Sequence, residues 1–283
     1  MLGWIVRGIR SGIVTTRYPR RPDAMPGYRG RPVLHPGRCR MADLRAAAEV
    51  CPTGAITANE GHARLDLSLC IQCGRCADAV ANGSITMAPD FEVAVRDRRA
   101  LVVDVVSERN GDGPAELPSS DHASPTIEPV RKMLGERMAT LKRSLHIRHV
   151  DAGSDGSEEY EIHALTNPYY DIHRLGIFFT ATPRHADVLM VTGPVTRPME
   201  LALRATYDAM PDPRIVIAVG TSACSGGIFG SSYATLGGVD KVLPVDIYVP
   251  GSPPSPFALL HALLLATDRV AQRLLHQVVR VPS

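Results

Sequence analysis

Residues 187–193 read DVLMVTG, residues 214–220 read RIVIAVG, and residues 241–249 read KVLPVDIYV. Each stretch is almost continuously apolar, which is typical of a strand that is buried on both faces of a sheet. The segments 198–210 and 255–269, which follow two of these stretches, are predicted to be helices. Uniformly apolar strands that alternate with helices predict a parallel sheet, and therefore an α/β fold for this part of the chain.

Ligands of parallel α/β sheets usually bind beyond the carboxyl ends of the strands. In this chain the predicted strands are followed there by loops at 221–230 and 250–254. The first loop is rich in Gly, but it contains neither G-x-G-x-x-G nor G-x4-G-K-[ST], so nucleotide binding is not expected. The formal net charge of +2 is too small to favour a nucleic-acid partner.

Five of the six cysteines lie between positions 39 and 76, and this clustering favours a metal centre over disulfide bonds. Residues 70–76 (CIQCGRC) form a C-x2-C-x2-C motif, and Cys51 followed by Pro52 precedes it. In two-cluster ferredoxins, the Cys of such a Cys-Pro pair completes the cluster that the other motif begins. We therefore expect one [4Fe–4S] cluster, held by Cys51, Cys70, Cys73 and Cys76.

Two alternatives remain open for these four cysteines, namely a structural zinc site and a set of buried thiols without metal. A second ferredoxin cluster is not expected. Only Cys39 stands at a ligand position of the preceding segment, and Val80 stands where the last ligand of the later motif would be. Because the missing ligands all belong to one cluster, Cys39 is predicted to be a bystander thiol.

Composition divides the chain into four parts. Residues 1–38 form a basic arm, with a short amphipathic helix at 1–14 followed by an extended segment rich in Pro and Gly. Residues 39–106 form a ferredoxin-like α+β domain that carries the cysteine motif. Residues 107–127 are rich in Ser, Pro and acidic residues and predict a flexible linker. Residues 128–283 form the parallel α/β domain, which begins with a helix predicted at 128–143.

No apolar stretch approaches the ~20 residues that are needed to span a bilayer. Residues 1–14 carry Arg7 and Arg10 and lack a clear cleavage site, so they do not predict a secretory signal. The apolar stripe of this segment faces one side of the helix and suits a membrane or protein surface. It consists of Leu2, Ile5, Ile9 and Ile13.

Residues 2–98 resemble the two-cluster ferredoxin-type subunit of formate hydrogenlyase and of respiratory complex I, through GIVTTRYP at 12–19, EVCPTGAI at 49–56 and the cysteine motif. Residues 145–265 resemble the small subunit of the same complexes, which is the 20-kDa or B-type subunit of complex I and the small subunit of membrane-bound nickel–iron hydrogenases. This second resemblance rests on residues 181–199, 207–230 and 239–256. Together they imply a fusion of two subunits, in which the second has a flavodoxin-like fold.

The small-subunit family binds its own [4Fe–4S] cluster through four cysteines, and the resemblance places other residues at all four positions. Oxygen donors are poor ligands for iron–sulfur clusters, which are built on soft thiolates. Cys224 lies two residues from a family position, and one thiol cannot replace four. No cluster is therefore expected in this part of the chain. The residues at the four lost-ligand positions are Asp155, Glu158, Ser222 and Ser252.

The resemblance implies an iron–sulfur subunit of a complex related to complex I and group-4 nickel–iron hydrogenases, attached peripherally to the cytoplasmic face of the membrane. Its partners would be a hydrogenase- or complex I-like large subunit, membrane-arm subunits and a second electron-transfer subunit. The C-terminal domain would be a scaffold without a cluster, and no residue is expected to be catalytic. Two alternatives stand beside this hypothesis. The chain could be a functional electron-transfer subunit of a hydrogenase, formate hydrogenlyase or quinone oxidoreductase, or a binding module that takes a metal ion or polar ligand in the emptied pocket.

Overall fold

The computed structural model describes residues 3–21, 27–80, 82–108, 132, 136 and 144–282, and all structural statements refer to these residues. Nearly all of the helix predicted at 128–143 and most of the linker predicted at 107–127 lie outside them. Within the described ranges, no helix is long and apolar enough to cross a membrane.

The N-terminal half consists of short helices and strands that form two small sheets. Strands β1 and β4 pair antiparallel, and strands β2, β3 and β5 form an antiparallel group in that order. A 3-10 turn precedes the last of these strands. The elements are α1 (Gly3–Ser11), β1 (Pro32–Leu34), α2 (Met41–Glu49), β2 (Ile56–Ala58), β3 (His62–Asp66), α3 (Arg75–Asp78), β4 (Ile85–Met87), the turn Arg98–Leu101 and β5 (Val102–Glu108).

The C-terminal half alternates strands and helices, with three further 3-10 turns. These turns are Ile172–Leu175, Pro183–His185 and Val239–Lys241. The regular elements are β6 (Leu145–Asp151), α4 (Ser157–Ala164), β7 (Ile177–Phe179), β8 (Val188–Thr192), α5 (Arg197–Asp208), β9 (Ile215–Val219), α6 (Thr221–Ser225), β10 (Ile247–Val249), α7 (Pro256–Ala266) and β11 (Gln277–Pro282).

Five of these strands form one parallel sheet in the order β10-β9-β8-β6-β7. If the strands are numbered from the start of this domain, their order is the flavodoxin-like one. In that order the direction of winding reverses between the first strand, β6, and the third, β8. Every residue of β8, β9 and β10 is buried. The predicted parallel α/β fold is therefore confirmed.

The predicted strands at 187–193 and 214–220 correspond to β8 and β9 within one or two residues. The strand predicted at 241–249 is shorter, because only Ile247–Val249 joins the sheet. Its first residue, Lys241, ends a 3-10 turn, and Pro244, which has no N–H to donate to a ladder, precedes β10. Strand β6, which mixes polar and apolar residues, and strand β7, which is apolar but only three residues long, were not predicted.

The two halves pack against each other along several elements. Strand β11 leaves the C-terminal half and pairs parallel with β5, which completes a four-stranded sheet in the N-terminal half. Every residue of α7 is buried, and its Phe257 stacks on Phe91 with ring centroids 4.8 Å apart. Tyr18 contacts both rings edge-on. Apart from His261, α7 is apolar on all sides, as is typical of a helix that is covered from every direction.

Candidate functional site

The four cysteines of the predicted cluster site line one cavity, with about 340 Å³ of space that includes open solvent. Cys51 follows α2, Cys70 and Cys73 lie in the loop after β3, and Cys76 lies in α3. The hairpin of β2 and β3 brings the segments together. The remaining wall is mostly apolar and includes Pro32, Ile56, Leu65, Ile71 and Met87.

The loop between Cys70 and Cys76 turns sharply around the cavity. Gln72 and Gly74 have φ values of 57° and 81°, in the left-handed region that allows such a turn. In this conformation the backbone N–H of Gln72 donates a hydrogen bond to Cys70 Sγ over 3.4 Å. A donor of this kind stabilises a thiolate ligand.

The thiols differ in their surroundings. Burial, together with the neighbouring thiols Cys76, Cys51 and Cys73, raises the pKa of Cys70 to about 12, although the N–H of Gln72 opposes the shift. Burial also raises the pKa of Cys76. Burial opposes ionisation of Cys51 too, but backbone N–H groups, led by that of Ile56, outweigh it and lower the pKa of this thiol. Cys73 is exposed.

Four Cys side chains around one mostly apolar cavity fit an iron–sulfur cluster, whose irons are held by Cys thiolates. A zinc ion accepts the same donor set, with each sulfur about 2.3 Å from the metal. In the part of the chain that the structure describes, no three His, Cys, Asp or Glu side chains are grouped closely enough to hold a metal ion.

The other two cysteines lie in the protein core, away from this cavity. Cys39 is fully buried, and burial raises its pKa to about 11. Cys224 lies in α6, where its Sγ is 3.6 Å from the carbonyl oxygen of Ala218. Burial raises the pKa of Cys224 to about 12. Neither residue lines the cavity of the four cysteines.

The two lost-ligand positions in the first loop differ in exposure, although the Ser157 hydroxyl lies within hydrogen-bond distance of both carboxylates. Asp155 is exposed and accepts hydrogen bonds from the hydroxyl and N–H of Ser157 at 2.6 and 3.0 Å, which lower its pKa. Glu158 is buried, and burial raises its pKa. Its carboxylate lies against Gly220, where an added Cβ would be 2.4 Å from Glu158 Oε1. The carboxylate therefore fills space beside the next loop.

The other two lost-ligand positions lie in loops that are bonded to each other. Ser222 is half-buried in α6, and Ser252 is exposed. The loops meet through Thr221, whose N–H donates to the carbonyl oxygen of Gly251 over 2.7 Å and whose Oγ1 accepts from the N–H of Gly251. The structure thus keeps the three loops in contact, with Asp155 and Ser252 exposed and Glu158 buried.

Sequence reasoning missed the contact between this region and the cysteine site. Thr221 Oγ1 donates to the carbonyl oxygen of Cys70 over 3.0 Å, and Ser225 Oγ donates to that of Ser68 over 2.7 Å. The hydroxyl spacing in α6 is visible in the sequence, but the partners lie 151 and 157 positions away. No local pattern predicts such a pairing.

A second cavity, also unpredicted, lies beside α4 where β7 ends, with about 590 Å³ of space that includes open solvent. Its wall includes Arg148, His149, His163 and Glu159. The Glu159 carboxylate is already engaged by the hydroxyls of Ser154 and Thr192. Burial lowers the pKa of His149. The cavity is open and lined by both polar and apolar side chains, and its carboxylate is hydrogen-bonded within the protein.

Comparison with known proteins adds family information. Residues 156–266 match the family described as NADH ubiquinone oxidoreductase, 20 Kd subunit. The chain is 41% identical over 152 residues to a probable membrane-bound hydrogenase subunit, mbhJ, of Pyrococcus furiosus, which covers 52% of this chain and 91% of that protein. It is 40% identical over 147 residues to formate hydrogenlyase subunit 7 of Escherichia coli, covering 52% and 58% of the two chains. It is 46% identical over 102 residues to the B-type subunit of the NADH-quinone oxidoreductase of Citrifermentans bemidjiense, covering 36% and 59%.

Proposed function

The chain belongs to the family of the 20-kDa subunit of NADH ubiquinone oxidoreductase, and from this membership we propose that it is an iron–sulfur subunit of a membrane-associated complex. The complex is related to complex I and to group-4 nickel–iron hydrogenases. The names of the relatives support this class, because they describe subunits of a membrane-bound hydrogenase, a formate hydrogenlyase and a quinone oxidoreductase.

The chain holds one [4Fe–4S] cluster, on Cys51, Cys70, Cys73 and Cys76. The observation that carries this proposal is the convergence of these four thiols, and of no other cysteine, on one cavity. When bound, the cluster supplies one-electron transfer. Cys73 is the exposed member of the set, so its side of the site is open to an electron-transfer partner. This exposure also favours the second candidate function, a working electron-transfer subunit.

The chain is a fusion, in which residues 39–106 form the ferredoxin-like unit and residues 128–283 form the small-subunit unit. The family match at 156–266 lies wholly within the second unit. That unit acts as a scaffold without a cluster, because oxygen-bearing side chains occupy its four ligand positions and thiolates do not. The buried carboxylate of Glu158 against Gly220 supports this role, since it occupies the space between two ligand loops.

The partners of the scaffold are a large subunit and membrane-arm subunits, and the complex lies on the cytoplasmic face of the membrane. Helix α1 supports attachment to an apolar surface. None of its residues is buried, and Trp4 and Ile9 are 74% and 77% exposed. Arg7 and Arg10 on the same helix suit acidic head groups or acidic protein.

Iron and sulfide analysis of the anaerobically purified full chain tests the proposal. We expect about four iron and four sulfide per chain. Cys51→Ser should lose the cluster as completely as Cys73→Ser, because both remove a ligand. Cys39→Ser and Cys224→Ser are the matched controls and should retain it. Eight iron per chain would contradict a single cluster, and zinc without sulfide would support the structural zinc alternative.

A further inference from the structure

Two hydroxyl groups of α6 hold the loop that begins the cysteine site. Thr221 and Ser225 lie one helical turn apart, so their side chains are on the same face of the helix. The first donates to the carbonyl oxygen of Cys70 over 3.0 Å and the second to that of Ser68 over 2.7 Å. Helix α6 also contains Ser222, one of the lost-ligand positions. A segment that lost its own metal-binding role is thus bonded directly to the remaining cysteine site.

Each of these part-buried contacts has one fully buried residue, which limits the access of water to it. Thr221 is 1% exposed and Ser68 is fully buried. Ser68 Oγ also accepts a hydrogen bond from Arg98 Nε over 3.2 Å, and Arg98 forms an ion pair with Asp240 of the C-terminal half. Hydrogen bonds of this kind help to fix geometry, since a partly buried carbonyl oxygen that loses its donor loses a favourable contact.

The hydrogen bond from Thr221 to the carbonyl oxygen of Cys70 acts on the Cys70 sulfur through the next peptide group. Thr221 fixes the carbonyl of Cys70, and therefore the plane of the peptide that joins Cys70 to Ile71. The following peptide carries the N–H of Gln72, which points at Cys70 Sγ over 3.4 Å. Hydrogen bonds to ligand sulfurs tune the reduction potential of a cluster, because they favour its more negative, reduced form.

We propose that Thr221 and Ser225 are positioning residues that raise the reduction potential of the cluster by holding the Cys70 loop. The inference rests on the function proposed above. It assigns the C-terminal half a specific role, since the helix that once carried a ligand of another cluster now orients a ligand of the remaining one.

Redox titration of the full chain followed by electron paramagnetic resonance tests the inference. Thr221→Val keeps the shape of the side chain and removes the hydroxyl, so the midpoint potential should shift to a more negative value with the iron content unchanged. Thr221→Ser retains the hydroxyl and should therefore have the same midpoint potential as the wild type. Ser225→Ala should shift the potential in the same direction as Thr221→Val.

Thr267→Val is the matched control. Thr267 is also a buried Thr, but its hydroxyl bonds only to Leu263 and Leu264 within its own helix region. Its variant should titrate like the wild type. A wild-type potential in both Thr221→Val and Ser225→Ala would overturn the inference.

If Thr221→Val loses iron, the midpoint potentials of Ser225→Ala and Thr221→Ser test the inference instead. An unshifted potential in Ser225→Ala would then count against the proposal, as would a shifted one in Thr221→Ser. Failure of the proposed function is distinguishable from these outcomes, because it would appear as a wild-type chain without iron or as a cluster that survives Cys51→Ser.

Discussion

At the scale of single residues, Asp246 couples the stability of the fold to pH. It lies just before β10, and its Oδ2 accepts a hydrogen bond from the N–H of Val216 over 2.8 Å. Burial raises the pKa of Asp246 to about 6. The folded state therefore favours the protonated carboxyl group, and this contribution to stability is complete below about pH 4 and is lost as the pH rises through 6.

Asp246→Asn tests this coupling. The wild-type free energy of unfolding should fall from about pH 4 to about pH 6.5, because the carboxyl group ionises at lower pH in the unfolded chain than in the folded one. The variant cannot ionise, and its amide oxygen still accepts from Val216, so its stability should fall less over the same range. Urea unfolding followed by circular dichroism measures both.

Asp212→Asn is the control, since the Asp212 side chain is 82% exposed, and it should follow the wild type. Equal pH dependence in Asp246→Asn and the wild type would show that Asp246 does not titrate in this range.

At the scale of elements, α1 presents apolar side chains to its surroundings without any covering from the described chain. A nine-residue helix is marginal in water and needs a surface to stabilise it. The residues just after it are already engaged, since the N–H of Thr16 donates to the carbonyl oxygen of Tyr169 and Tyr18 is buried. The free segment therefore ends before residue 15.

Replacing both Trp4 and Ile9 with Ser should release the chain from the membrane fraction, because it removes the two most exposed apolar side chains of α1. The visible absorbance of the cluster should not change, since neither residue contacts the cysteine site. Leu201→Ser is the matched control, as Leu201 is 79% exposed in another helix. Continued membrane association of the double variant would refute an anchoring role for α1.

At the scale of the whole molecule, the two halves share one folded unit. Strand β11 completes the N-terminal sheet, Tyr18 of the N-terminal arm packs on Phe257 of α7, and Val95 pairs with Tyr248 of β10. Contacts of this extent predict that the halves unfold together.

Val281→Ala should destabilise the protein by about 2 kcal/mol, because Val281 is fully buried in β11 and the change leaves a small cavity. Val278→Ala on the same strand is the control and should cost less than about 0.5 kcal/mol, since its side chain is partly exposed. Both are measured by urea unfolding. Two separate unfolding transitions, only one of which responds to Val281→Ala, would show that the halves are independent.

The features that could be predicted most accurately from the sequence are those that a local pattern of residues encodes. Continuous apolar runs identified β8 and β9, and cysteine spacing identified the four thiols that share a cavity. Pairing between distant segments has no such signal. The residues of β11 suit several environments, and their partner strand is far away in the chain. The hydrogen bond from Thr221 to the carbonyl oxygen of Cys70 could not be predicted for the same reason. Its two residues come together only after both halves of the chain have folded.

The pairing of β11 with β5 also sets an order of events during synthesis. At roughly 5–20 residues per second, the ~170 residues that separate Val103 from its partner Gln277 take on the order of 10–30 s to translate. Throughout that interval one edge of β5 has no neighbouring strand, and an unpaired strand edge can pair with other chains and cause aggregation. The four cysteines of the predicted cluster site have already been synthesised by then. The thiols of the nascent chain are therefore available to bind iron before the four-stranded sheet is complete. Iron delivery and protection of the open edge of β5 consequently fall within the same interval.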